Sequence, residues 1–354
     1  MGRRKPGRKE LLALIGSDLP LIQAPMAGSQ GSALAIAVSN AGGLGSLPCG
    51  LLNAETLRSE LQAIRAGTTR SCNVNFFCHQ LSEPNLAREG IWRSALGRYY
   101  LEFDVDISAI QSGPGRQPFS AEMAAVLEEF RPRVVSFHFG LPPAPLLARV
   151  KALGASVIAS ATTVDEARWL EASGVDAIIA QGLEAGGHRA AFLTDDITTQ
   201  LSTMALVRQI VRTVDVPVIA AGGIADSEGV AAATALGAAG VQVGTAYLLC
   251  HEATTTPIHR SALRGPTARH TALTNLFTGR PARAIVNRLM QELGPMSALA
   301  PQFPFAAAAV APLRSKAEAA GRDDFSSLWA GQNVTGCKEI SAAELTLELA
   351  KGFE

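Results

Sequence analysis

The sequence predicts an α/β fold: a closed (β/α)8 TIM barrel with a second, smaller helical domain. Three observations carry that prediction. Eight short apolar runs recur along most of the chain, each near-continuously apolar and ending in Gly, Pro or a small polar residue. Segments of helical period lie between them, with a repeat of about 20 residues where two runs are adjacent. Runs of this kind read as parallel strands covered on both faces, and eight of them with crossover helices close into a barrel. Two long stretches then interrupt the repeat. An open doubly wound sheet is the alternative.

The runs fall at residues 21–26, 43–47, 72–77, 134–140, 156–161, 176–182, 216–223 and 240–245. A helix is expected from Val164, with Thr163 as its N-cap and Gly174 beyond its end. Another begins at Ser227 and stops at Gly237. Residues 241–248 read as one strand following that helix and its Gly turn. About 60 residues separate the third run from the fourth, and the region from 251 to 354 is more charged and helical in pattern. The barrel is therefore assigned to 18–78 and 119–264, and a helical cap to 79–118 and 265–354. Within the cap, the Ala/Pro-rich stretch 301–312 reads as a linker.

Composition narrows the function. With 31 Lys+Arg against 31 Asp+Glu the formal charge is zero, so the basic footprint of a nucleic-acid binder is missing. At 47% apolar and 18% charged residues, the 354-residue chain is too apolar for disorder and long enough to bury a large core. Five widely spaced cysteines without a CxxC argue against a disulfide framework or a zinc site and fit a reducing cytoplasm. The basic N-terminal run reads as a solvated leader, because the apolar stretch behind it, residues 11–15, is too short for a signal peptide. Residues 229–250 carry no charge, but their Ala, Gly, Thr and Gln content reads as a buried helix–strand pair rather than a membrane span.

Barrel chemistry belongs on the loops after the strands, and phosphates favour those after the seventh and eighth. Here these loops carry Gly222-Gly223 and Gly244-Thr245. Glycines let backbone N–H groups approach an anion closely, and Thr245 adds a hydroxyl. Gln23, Asn75, Gln181 and Gln242 stand at other strand ends, where amides can both donate to and accept from a heterocycle. One phosphate and a ring edge of alternating donors and acceptors describe FMN. The dinucleotide fingerprint GxGxxG is not evident. After the sixth run, Gln181-Gly-Leu-Glu-Ala-Gly-Gly-His-Arg places the imidazole of His188 on a Gly-rich loop, suited to proton transfer near neutral pH. His138, flanked by two Phe, is the second candidate. His251, His259 and His270 read as surface or structural groups. Paired-carboxylate catalysis by Asp195 and Asp196 and hydrolase chemistry at Ser32, Ser46 or Ser71 lack their sequence settings.

The motifs Gln23-Ala-Pro-Met-Ala-Gly, Asn73-Val-Asn-Phe-Phe, Ser136-Phe-His-Phe-Gly, Ala180-Gln-Gly-Leu-Glu-Ala-Gly-Gly-His-Arg, Ala220-Ala-Gly-Gly-Ile and Val241-Gln-Val-Gly-Thr-Ala-Tyr-Leu, in this order, resemble the nitronate monooxygenases. Phe277-Thr-Gly-Arg-Pro-Ala-Arg and Leu328-Trp-Ala-Gly-Gln extend the resemblance to about residue 335. It implies non-covalent FMN contacted by Met26, Asn75, Gln181, Gly186, Gly223, Gln242, Val243, Gly244 and Thr245, with His188 as catalytic base. It also implies oxidation of nitroalkanes or alkyl nitronates by O2 to a carbonyl compound and nitrite. His138 and Gln23 are candidates for the substrate side. Ser29-Gln30 replace the glycine that usually continues the first motif, a departure that bears on substrate preference. Two other readings are an FMN-dependent NAD(P)H reductase, acting on enoyl-acyl carriers or quinones, and a barrel that binds a phosphorylated ligand without redox work. No nucleic-acid or membrane partner is expected.

Overall fold

A computed structural model describes residues 6–110 and 116–354, and all statements below concern these residues. Eight parallel strands form the expected barrel: β1 (Leu21–Gln23), β2 (Gly45–Pro48), β3 (Cys72–Phe77), β4 (Val134–His138), β5 (Ser156–Ala161), β6 (Ala177–Gln181), β8 (Val218–Ala221) and β9 (Gly240–Val243). The remaining short strand in this stretch, β7 (Gly187–His188), lies outside the barrel. The order β1-β9-β8-β6-β5-β4-β3-β2 is closed by a parallel bridge between Ile22 and Leu44. Near-continuous burial of the strands explains the apolar runs: helices cover the outside, and side chains fill the inside.

The helices Val164–Ala172 and Ser227–Ala235 form as expected, the first with the Thr163 hydroxyl accepting from the Glu166 N–H. Gly174 and Gly237 beyond their ends have positive φ. Between β9 and β1 the outer helical ring is completed from far away in sequence. Helix Ala342–Ala350 packs against both Ser227–Ala235 and Ser32–Asn40, and its Ala342, Leu345 and Leu349 belong to the barrel's main hydrophobic cluster.

Three expectations need correction. The strand expected over 241–248 ends at Val243. Gly244 leaves the extended region, its carbonyl accepts from the Tyr247 N–H, and Thr245–Leu249 forms a 3-10 turn. Of the N-terminal run read as a solvated leader, residues 1–5 lie outside the described residues, and the part that follows is not a leader. Residues Arg8–Ile15 are helical, and Leu11 and Ile15 plug the lower end of the barrel against Ile22, Val134, Ile158 and Ile219. The segment read as a linker is largely helix, Ala306–Ala319, because consecutive alanines outweigh Pro312 once one face is buried.

Above the barrel, the two insertions share one core. Trp92, Leu96, Tyr99 and Tyr100 of the first pack with Phe277, Leu289, Val310, Leu313 and Phe325 of the second. The Trp92 indole donates to the Ala306 carbonyl (3.2 Å), and the Tyr100 hydroxyl to that of Ala309 (2.8 Å). This layer is mainly helical, but it also holds a hairpin, β10 (Thr271–Thr274) and β11 (Ala282–Ile285). β7 adds to β11 antiparallel, pairing His188 with Ala282. The uncharged window 229–250 resolves into a helix, a strand and a turn, and no described helix is long and apolar enough to cross a membrane.

Candidate active site

A cleft of about 1250 Å³, counting the solvent space at its mouth, opens where the strand ends meet the cap. Met26, Asn75, Gln181, Gly186, Gly223, Gln242, Gly244 and Thr245 line it, together with His138 and His188. Two residues of the expected set do not. Val243 is buried in the barrel core, contributing its carbonyl to the Ala24 N–H. Gln23 is fully buried and pairs amide-to-amide with Gln30, while its Oε1 accepts from the Ser46 N–H (3.0 Å). Gln30 in turn accepts from the Met26 N–H (3.1 Å), so this pair braces the Pro25–Met26 turn from beneath. Of the two divergent residues after that turn, Ser29 lines the cleft and Gln30 does not.

The end of the cleft under β8 and β9 is built for an anion. Gly222 and Gly223 have φ of 120° and 72°, conformations that L side chains rarely adopt, and the Gly223 and Ile224 N–H groups meet no protein acceptor among the described residues. Segment 331–333 closes over this end. The Gly331 N–H donates to Thr245 Oγ1 (2.9 Å), the Gln332 N–H to the Glu184 carbonyl (2.9 Å), and Asn333 Nδ2 to the Gly223 carbonyl (3.1 Å). The Thr245 hydroxyl proton is left for a ligand.

Farther along, the amides have different occupations. Asn75 Nδ2 donates to Ser136 Oγ (2.9 Å), leaving its Oδ1 for the cleft. Gln242 Oε1 is buried without a partner, an orphaned acceptor of the kind a bound ring N–H satisfies. Gln181 is a bracket. Its Nε2 donates to the His188 carbonyl (3.0 Å), and its Oε1 accepts from the Ala190 N–H (2.9 Å). The fit to FMN is therefore good at the phosphate end and at the ring edge.

The His188 loop is held from several sides. Arg189 is 1% exposed, and its guanidinium donates to the carbonyls of Gln181 and Gly182 (2.7 Å each) and to Gln200 Oε1 (2.6 Å). Burial brings its pKa down to about 9. Buried Glu166 accepts from the N–H groups of Thr162, Phe192 and Leu193 and from the Thr162 hydroxyl. Glu166→Ala orphans the buried Thr162 N–H and leaves those of half-buried Phe192 and exposed Leu193 to water, so it should cost about 1–3 kcal/mol, read as a lower urea midpoint.

His138 Nε2 donates to the His188 carbonyl (3.2 Å), and its Nδ1 lies 3.4 Å from Ser160 Oγ. Both ring nitrogens are engaged, and burial drives its pKa down to about 3. The His188 ring stands among Phe77, Phe139, Phe303 and Trp329, with centroids 5.3–6.3 Å away. Burial is the main cause that holds its pKa well below the ordinary histidine value, and the charge of Arg116 comes second. Arg116 lines the cleft, and its own pKa is lowered by burial to about 10. At neutral pH His188 is thus an uncharged imidazole beside cationic groups. Sequence reasoning missed Arg116 and Asn333 altogether, and Phe77 and Trp329 were noted only within motifs.

The comparisons agree with this geometry. A family model described as "Nitronate monooxygenase" matches residues 8–352. A nitronate monooxygenase of Paraburkholderia phytofirmans is 43% identical over 98% of this chain and 95% of its own. One of Pseudomonas aeruginosa is 42% identical over 96% and 97%. Among solved structures, nitroalkane oxidase from Streptomyces ansochromogenes superposes with a TM-score of 0.88 at 37% identity, covering 97% of this chain and 99% of that one. FabK from Thermotoga maritima is more distant, with a TM-score of 0.71 at 27% identity over 99% and 96%. On sequence and structure alike, the chain belongs to the nitronate monooxygenase family.

Proposed function

We propose that this oxidoreductase binds FMN and uses O2 to convert alkyl nitronates and nitroalkanes, propionate 3-nitronate among them, to a carbonyl compound and nitrite. The observation that carries this reading is a neutral, desolvated His188 facing a cleft whose other end is a glycine cradle for one phosphate. Met26, Asn75, Gln181, Gly186, Gly223, Gln242, Gly244 and Thr245 would hold the cofactor. Val243 serves only by fixing the strand beneath it. Bound there, FMN supplies the one-electron chemistry between nitronate and O2. The protein's part is to bind, orient and deprotonate. His188 takes the α-proton of a neutral nitroalkane, and a preformed nitronate omits that step. Arg116 and Arg280, both near His188, favour the anionic nitronate. Phe77 and Trp329 line the cleft and keep water from the reacting carbon. Five unpaired thiols fit a reducing cytoplasm as the location.

Nitrite release from propionate 3-nitronate and from simple nitroalkanes, with and without NADH, tests the reading. The expected result is release that does not need NADH. Rapid anaerobic bleaching of the flavin by NADH or NADPH would instead favour the alternative of an FMN-dependent NAD(P)H reductase.

The pH profile follows from the same geometry. The base works only when neutral, and its pKa lies below the ordinary value of about 6.5. The acid limb of kcat/KM for nitroalkanes should therefore fall below pH 6.5, with activity constant from there to neutrality. A limb centred at or above 6.5 would contradict a desolvated imidazole.

A further inference from the structure

We infer that Thr278 is a positioning residue that fixes the tautomer of His188, so that the proton-accepting atom is Nδ1. This rests on His188 being the base, as proposed above. His188 Nε2 lies 2.9 Å from Thr278 Oγ1, and Thr278 is 4% exposed. The threonine hydroxyl has its own acceptor in the Arg280 carbonyl (3.4 Å). With its proton directed there, Oγ1 presents a lone pair to Nε2, which must then carry the ring proton. Nδ1 keeps the other lone pair and meets no protein group among the described residues, in a ring that lines the cleft.

The backbone is set by the same piece of chain. Thr278 lies in the turn between β10 and β11, and β11 pairs with β7 through Ala282 and His188. Gln181 and His138 hold the His188 carbonyl from the opposite side. Once Nδ1 has taken the substrate proton, the imidazolium keeps its Nε2–H on Thr278, so the ring need not turn during the step. Thr278 touches neither substrate nor cofactor in this account and acts only through His188.

The test compares the flavin-loaded Thr278→Val, Thr278→Ser and His188→Asn enzymes with the parent on a neutral nitroalkane and on its preformed nitronate. Valine keeps the shape and removes the acceptor, so kcat/KM for the nitroalkane should fall at least about tenfold, with the nitronate value within about twofold. Serine should restore the nitroalkane value. Nitrogen-15 NMR of labelled histidine should show a protonated Nε2 at His188 in the parent and in Thr278→Ser, and mixed tautomers in Thr278→Val. An unchanged nitroalkane value, an equal loss on both substrates, or a protonated Nδ1 in the parent would overturn the assignment. His188→Asn separates the two layers. Selective loss there without selective loss in Thr278→Val removes only the role of Thr278, whereas equal loss on both substrates in His188→Asn removes the base and this inference with it.

Discussion

His188→Asn is expected to lower turnover of neutral nitroalkanes by about 10²–10⁴-fold while preformed nitronates keep most of their rate. The range is what a positioned general base contributes, and the selectivity follows from the chemistry, since a nitronate arrives without the proton in question. Asparagine retains the bulk and can still meet Thr278, so the aromatic surround of Phe77, Phe139, Phe303 and Trp329 should not collapse. Steady-state nitrite assays on matched nitroalkane and nitronate pairs measure the ratio. An equal loss on both members would mean that His188 serves the nitronate itself.

Gly186→Val should weaken retention of the cofactor. A Cβ at this position would fall 2.6 Å from the Ala330 carbonyl carbon and the Gly331 nitrogen, both backbone atoms that cannot swing aside. Segment 331–333 would have to lift away, breaking its bonds to Thr245, Glu184 and Gly223. Three hydrogen bonds at about 1 kcal/mol each amount to a loss in affinity of roughly 100-fold. The purified variant should be pale and show a correspondingly weaker FMN dissociation constant by fluorescence titration. Gly90→Ala, in a cap helix where an added Cβ meets nothing within 4 Å, is the matched control and should stay yellow.

The barrel was legible in the sequence because strands buried on both faces leave an uninterrupted apolar signature, as 134–138 and 177–181 show. The glycine pair at 222–223 and the imidazole at 188 were legible because small residues and a lone histidine at strand ends have few structural uses. Gln23 misled for the opposite reason. An amide at a strand end looks the same whether it faces a ligand or, as here, a second amide brought in by Gln30. The hairpin over 271–285 left no periodic mark, since its strands are four residues long and Arg283 spends its guanidinium on the Leu183 and Thr271 carbonyls. Trp329 and Asn333 reach the cleft, and Thr278 reaches His188, only through the folding of the second insertion, and no local periodicity announces which of its residues will arrive there.

The long excursion between β9 and the helix Ala342–Ala350 has a consequence for biosynthesis. That helix fills the seam beside β1, and Arg8 Nη1 donates to the Phe353 carbonyl (2.9 Å), clasping the first helix to the turn that follows Ala342–Ala350. While residues near 350 are still inside the ribosome, the wall beside the first strand stays uncovered. The cofactor would therefore be captured only after this helix has emerged and docked, and a peptide linking the neighbourhoods of Arg8 and Phe353, with a break opened in the exposed stretch near Leu81, should yield a permuted barrel that still assembles.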